Sequence, residues 1–386
     1  MQVENLKIKI INSLTSIDGK AWDQCVGADD PFVRHGFLSA LEDSGSATPE
    51  TGWAAQHLII EDNTSSVLAV APLYLKSHSY GEYVFDWNWA DAYERAGGRY
   101  YPKLQCSVPF SPVTGTRLLV RRDLDKETSV LLKKTLAQGM ISLGNKMGVS
   151  SIHVTFAKSE DVEQLCEQGF LKRLGQQFHW ENNNYDCFDD FLVSLNARKR
   201  KAIRKERRTV EDCSLRLQVL QGSEITENHW DAFYGFYVNT ADKKWGQEYL
   251  TRDFFSLLGE RLKEQVVLMM AFDGDQAKAG ALNLMGSDTL YGRNWGSITD
   301  QKFLHFELCY YQAIDFAIGN GLKRVEAGAQ GPHKIQRGYL PTPTYSAHWI
   351  RDNGFKDAIA KFLDAEQHAI GKDMEHVLSY SPFRKP

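Results

Sequence analysis

Two short stretches of this chain concentrate groups that carry out acid–base and anion chemistry. Residues 326–339, EAGAQGPHKIQRGY, set Glu326 ahead of a glycine-spaced loop that presents Gln330, His333, Lys334 and Arg337. Gly328 and Gly331 allow a sharp turn or a close backbone approach to a ligand. A carboxylate and an imidazole are proton acceptors, so Glu326 and His333 are the candidate bases. Gln330, Lys334 and Arg337 are the matching candidates for holding a substrate or anion. The same residues also suit a surface loop whose charges face water. The loop is neither GxxxxGK[ST] nor GxGxxG, so no nucleotide cradle is expected from it.

The second stretch is residues 196–208, NARKRKAIRKERR, with eight Lys/Arg and one Glu in thirteen positions of a chain whose net charge is −4. Such a run is either a solvated basic face or an anion site. Arg198, Arg200, Lys201, Arg204 and Lys205 are its candidates, and RNA or a phosphorylated small molecule would suit them. No DNA-reading motif accompanies the run, so DNA is not an expected partner.

Two weaker constellations follow. His305 is a third candidate catalytic group, but it and Glu307 stand two apart and do not face each other on a helix, so no metal is expected there. Residues 86–95, DWNWADAYER, make Asp86, Trp87 and Tyr93 candidates for lining a polar substrate site. They suit a buried aromatic cluster equally well. Neither a Gly-x-Ser-x-Gly elbow nor a Cys–His signature is present, so chemistry through a covalent enzyme intermediate is not expected. The six cysteines contain no CxxC pair, which points to reduced cytoplasm, and no signal peptide or membrane-spanning run is visible.

These groups need elements to position them. In the second half, strands are expected at 266–272, 277–285 and 289–295, a helix at 303–318, and a strand at 323–327 that delivers Glu326. The first half repeats the order, with a hairpin of 57–61 and 67–75, a helix at 126–146 and a strand at 151–156. An aromatic insertion, about 81–112, has no counterpart in the second half. The 386 residues, 42% hydrophobic and 24% charged, are those of an ordinary globular chain of two or three domains. The expected fold class is α/β with mixed sheets, in tandem domains 1–185 and 186–386, the second opening with the basic helix.

Several segments together carry a family resemblance: FVRHGFLSALEDSGS, PLYLKSHSYGEYVFDWNWADAYERAG, RYYPKLQCSVPFSPVTG, NARKRKAIRKERR, LHFELCYYQAIDFAI and EAGAQGPHKIQRGYLPTPTYSAHW. The chain resembles the FemAB-like family of predicted N-acyltransferases, from about residue 32 to residue 349. The resemblance implies two GNAT-like acyltransferase domains in tandem. It also implies acyl transfer to an amine, which in the Fem-type ligases proceeds from aminoacyl-tRNA to a peptidoglycan precursor. In those relatives a basic segment opens the second domain and a Gly-Gly loop follows the strand after the long helix. Residues 198–208 and 327–331 match these positions. The stretch 296–302, GSITDQK, lacks the [RQ]-x-x-G-x-[GA] loop with which GNAT enzymes hold CoA. The expected cosubstrate is acyl-CoA or aminoacyl-tRNA, with no covalently bound cofactor. The expected partners are a small-molecule or peptide amine and tRNA.

Overall fold

A computed structural model describes residues 6–244, 248–328 and 331–384. The chain divides into two units, Met1–Gly175 with Pro343–Gly371, and Gln176–Thr342 with Lys372–Pro386. Segment 343–371 thus belongs with the N-terminal unit, which a single cut near residue 185 does not express.

The N-terminal unit holds two sheets. One is an antiparallel set of Lys7–Ile11, His57–Glu61, Val67–Ala71 and Leu119–Val120. The other runs Trp53–Ala55, Leu73–Lys76, Lys103–Cys106, Ser151–Ala157, and then the late strand Leu340–Ile350. The expected single strand 67–75 is therefore two strands in different sheets. Pro72 separates them, since it cannot donate to a ladder. Between the parallel strands Lys103–Cys106 and Ser151–Ala157 lies the helix Lys126–Met147. Asp125 caps it by accepting from Thr128 N at 2.8 Å, and Gly148 ends it at φ 70°. Its buried Leu132, Leu136 and Met140 share a core with Leu104, Ile152 and Val154.

The C-terminal unit is built on the same crossover. Arg216–Gln221, Val266–Asp273, Gln276–Met285 and Thr289–Ser297 form an antiparallel meander. Arg324–Glu326 then adds in parallel to Thr289–Ser297, across the helical segment 304–319. Leu308, Ile314 and Ala317 of that segment share a core with Met269, Leu290 and Val325. The expected continuous helix at 303–318 is interrupted by a π-helical stretch, Glu307–Tyr311. Strand Leu171–Glu181 pairs antiparallel with Arg324–Glu326.

Each unit thus has a strand, a helix, a parallel strand and a final antiparallel strand. The last strand in each case comes from a distant part of the sequence. The region expected as an insertion supplies the strand Lys103–Cys106, the N-terminal counterpart of Thr289–Ser297, as well as the helix Trp87–Arg95. No helix among the described residues is long and apolar enough to cross a membrane.

Candidate functional site

Glu326 ends its strand 3% exposed, directly opposite His179 on the antiparallel neighbour. Its Oε2 lies 3.9 Å from His179 Nε2, which also meets Gln177 Oε1 at 3.2 Å. Burial, reinforced by Arg324, pulls His179 down to about 3, so the Glu326 side chain faces a neutral ring. Neither His179 nor Gln177 stands out in the sequence, because a strand histidine and glutamine carry no spacing signal.

The loop after Glu326 is tied to its own unit. Lys334 is buried and donates to the carbonyls of Ala327 and Gly328, the latter at 3.0 Å, and burial lowers its pKa to about 8. Gly331 has φ 113°, and a Cβ there would lie 2.4 Å from the His333 ring, so only glycine fits. Gly328 likewise has φ 74°. His333 Nε2 meets the Tyr310 hydroxyl at 3.0 Å. His305 lies beside it, with ring centroids 6.2 Å apart, and both rings touch Phe306 and Tyr310. The structure therefore brings His305 and His333 into one aromatic-walled cluster. Gln330 lies outside the described residues.

Arg337 was expected to hold an anion. It is instead bound by both oxygens of Glu206, at 3.0 and 2.9 Å, and its guanidinium lies 3.4 Å over the Phe306 ring. Glu206, the single acid of the basic run, also accepts from the Tyr311 hydroxyl. The run is helical, Ala197–Glu211, with Asn196 accepting from Lys199 N at 3.0 Å as its cap. Ile203 and Val210 anchor its inner side. Arg207 turns inward to Glu307 at 3.1 Å and Asp315 at 3.0 Å. Arg204 pairs with Asp189 at the surface. Arg198, Lys201, Lys205 and Arg208 are exposed and Arg200 is half-buried, which leaves an outward basic face. Four of the five candidates in the run lie on its exposed side, and its inward charges serve packing.

The remaining sequence candidates are in the N-terminal unit, in two different settings. Tyr93 packs its ring on Phe355, with centroids 4.6 Å apart, and Trp87 is exposed against Tyr80. Asp86 is buried. It precedes the helix Trp87–Arg95 without capping it by side chain, and instead binds Lys103 and, at 2.7 Å, the Tyr100 hydroxyl. Burial opposes its charge, but Lys103 holds its carboxyl well below the usual range. Lys103 also donates to Glu82 and Ser79, each at 2.7 Å. Nearby, His153 Nδ1 lies 2.6 Å from His348 Nδ1, and its Nε2 lies 2.8 Å from Ser151 Oγ.

Burial lowers His153 to about 3, which fixes the sign of a pH effect. An unfolded imidazole protonates near 6.5, so between these values the unfolded chain binds the extra proton and acid favours unfolding. As pH falls from about 6.5 toward about 3, wild type should lose stability relative to His153→Gln, by up to ~1.4 kcal/mol per pH unit. Urea titrations across that range check it, and parallel curves for the two proteins would show that His153 is not held neutral.

The chain matches the model of the FemAB-like family, described as peptidoglycan biosynthesis/recognition, over residues 13–385. Its fold is similar to that of FemX, at 12% identity and TM-score 0.55, covering 89% of this chain and 98% of FemX. It is also similar to that of L-PGS from Bacillus licheniformis, at 9% identity and TM-score 0.52, covering 84% of this chain and 93% of that one. No curated protein matches it in sequence.

Proposed function

The chain belongs to the FemAB-like family, and from that membership we propose that it transfers an aminoacyl group to an amine of a peptidoglycan-precursor peptide, with aminoacyl-tRNA as donor. The observation that carries the reading is Glu326, a buried carboxylate at the end of the crossover strand, beside a neutral histidine. In the proposed reaction the acceptor nitrogen attacks the ester carbonyl directly. Glu326 takes the proton lost from that nitrogen, and the tRNA 3′-oxygen leaves and is protonated in turn. No enzyme nucleophile is required.

The exposed basic face at Arg198, Lys201, Lys205 and Arg208 supports a polyanionic donor, since four outward cations concentrate phosphate. The stretch 296–302 gives acyl-CoA no matching pyrophosphate loop. The cysteines are all thiols, in keeping with a cytoplasmic reaction where aminoacyl-tRNA is available.

Incubation with radiolabelled aminoacyl-tRNA or acyl-CoA and a UDP-linked muropeptide tests the donor. Label should pass to the muropeptide from aminoacyl-tRNA and not from acyl-CoA. Transfer from acyl-CoA alone would reverse the donor. Salt-sensitive RNA binding without transfer would make the chain a binding module.

A further inference from the structure

In the C-terminal unit the strand Arg216–Gln221 leads through a short turn, Gly222–Glu224, into the helix Glu227–Lys244. A cavity of about 340 Å³ lies between this turn, the start of that helix and the end of the helix Arg252–Arg261. That volume is at the small end of the range for small-molecule sites. Trp230 and Val266 at its floor are buried, while Ser223, Glu227, Glu260 and Lys263 at its rim are exposed, so it opens to solvent. Val266 pairs with Leu284, Leu284 with Tyr291 and Tyr291 with Glu326 along one row of the sheet. At about 4.8 Å per strand, Val266 stands roughly 14 Å from Glu326, outside the site described above.

The floor of this cavity holds a donor without an acceptor. Trp230 is 2% exposed, and its Nε1 makes no hydrogen bond to any described residue. An indole N–H only donates, and buried donors are ordinarily paired, so its acceptor must come from outside the chain, as water or as a ligand. The N–H lies on the side of Gly259, another wall residue. A Cβ there would stand 2.7 Å from Nε1 and 3.2 Å from the ring, so the glycine keeps the space beside the donor open. The charges nearby are divided. Glu227 is already held, its Oε2 accepting from Arg252 at 2.8 Å and from Ser256 at 2.6 Å. Lys263 and Glu260 have no ion pair among the described residues. The N-terminus of the helix Glu227–Lys244, with its unpaired N–H groups and the positive end of its dipole, borders the same space.

We propose that this cavity binds a small organic carboxylate, with its carboxyl group on the Trp230 N–H and its apolar body against Ile225 and Val266. A carboxylate gives the buried donor a charged acceptor, and the helix N-terminus and the Lys263 ammonium at the mouth favour its charge. A cation would meet a donor at the floor where it needs an acceptor. Inorganic phosphate would leave the apolar wall of Ile225 and Val266 against water, which an organic body covers. Glu260 opposes the ligand's charge, but it is exposed and screened by solvent and salt. This inference does not rest on the transfer reading, and its test contains neither acyl donor nor acceptor.

Saturation-transfer NMR and calorimetry on the full chain would compare benzoate, benzyl alcohol and inorganic phosphate at one ionic strength. Benzoate should bind at a single site. Benzyl alcohol has the ring without the charge and phosphate the charge without the ring, and each should bind at least about tenfold more weakly. Trp230→Phe keeps an aromatic ring at the floor and removes the N–H, and it should weaken benzoate at least about tenfold, the loss expected for a hydrogen bond to a charged group. Circular dichroism checks its fold. Lys263→Met, at an exposed position, should weaken benzoate several-fold and by less at high salt, and it decides the matter if Trp230→Phe does not fold. Benzyl alcohol or phosphate binding as tightly as benzoate, no binding of benzoate, or wild-type affinity in a folded Trp230→Phe or in Lys263→Met would overturn the proposal.

Discussion

Replacing Lys103 with methionine should destabilise the N-terminal unit by about 3–5 kcal/mol, the range for removing one partner of a buried ion pair. Lys103 is fully buried, and its ammonium holds Ser79, Glu82 and Asp86 together. Burial acts against its charge, yet the two carboxylates keep its pKa above the ordinary lysine value. Methionine fills most of the volume but leaves two buried carboxylates without the ammonium bonded to them. One or both must then take a proton, or the covering segment must lift from the sheet. The triple variant Lys103→Met, Glu82→Gln, Asp86→Asn removes the stranded charges and should recover much of the loss. Urea unfolding of the three proteins measures this. A loss below about 1 kcal/mol in the single variant would place Lys103 in the class of weak surface pairs, against its burial.

The second large effect is kinetic. Glu326→Gln should slow aminoacyl transfer by about 10²–10⁴, the usual contribution of a positioned acid–base group, while leaving the fold intact. The fold should survive because glutamine keeps the shape and because His179, held near 3, is neutral and is not stranded by losing an anionic neighbour. Single-turnover transfer, with unfolding curves of both proteins, separates a lost base from a damaged structure. Unchanged transfer in the variant would exclude Glu326 as the proton acceptor. Lys334→Ala is a useful contrast. Its ammonium holds the Ala327 and Gly328 carbonyls, so its loss acts on the conformation of the loop and not on the proton itself.

Much of the local architecture was legible because it rests on local physics. Asp125 and Gly148 bound one long helix as cap residues should. Asn196 starts the basic helix, and apolar residues at helical spacing mark the inner side of the segment 304–319. Glu326 at a strand end was readable from the helix stop at Gly319–Gly321 before its strand and the glycines after it. Pro72 was readable in principle, yet the apolar continuity of 67–75 outweighed it. The strand inside the aromatic region was missed because Lys103 and Gln105 alternate with Leu104 and Cys106 in too short a run.

What the sequence by itself determined is the set of elements and which faces are polar. KLQCS and SIHVT alternate with period two, so each strand must present one polar and one apolar side. Alternation does not say what covers the polar side, and the usual answer is water. Only the tertiary structure decided that a segment carrying Glu82, Asp86 and Tyr100 closes over Lys103 and His153, which turns ordinary polar strands into a buried charged site. The same holds for Arg337 and Arg207. The sequence context marks Arg337 as an anion holder and sets Arg207 in the basic run, but Glu206, Glu307 and Asp315 meet them through packing in the folded chain. The physical reason is the same in both cases: a charge's partner is set by distance in space, and these partners stand 17 to 131 positions apart along the chain.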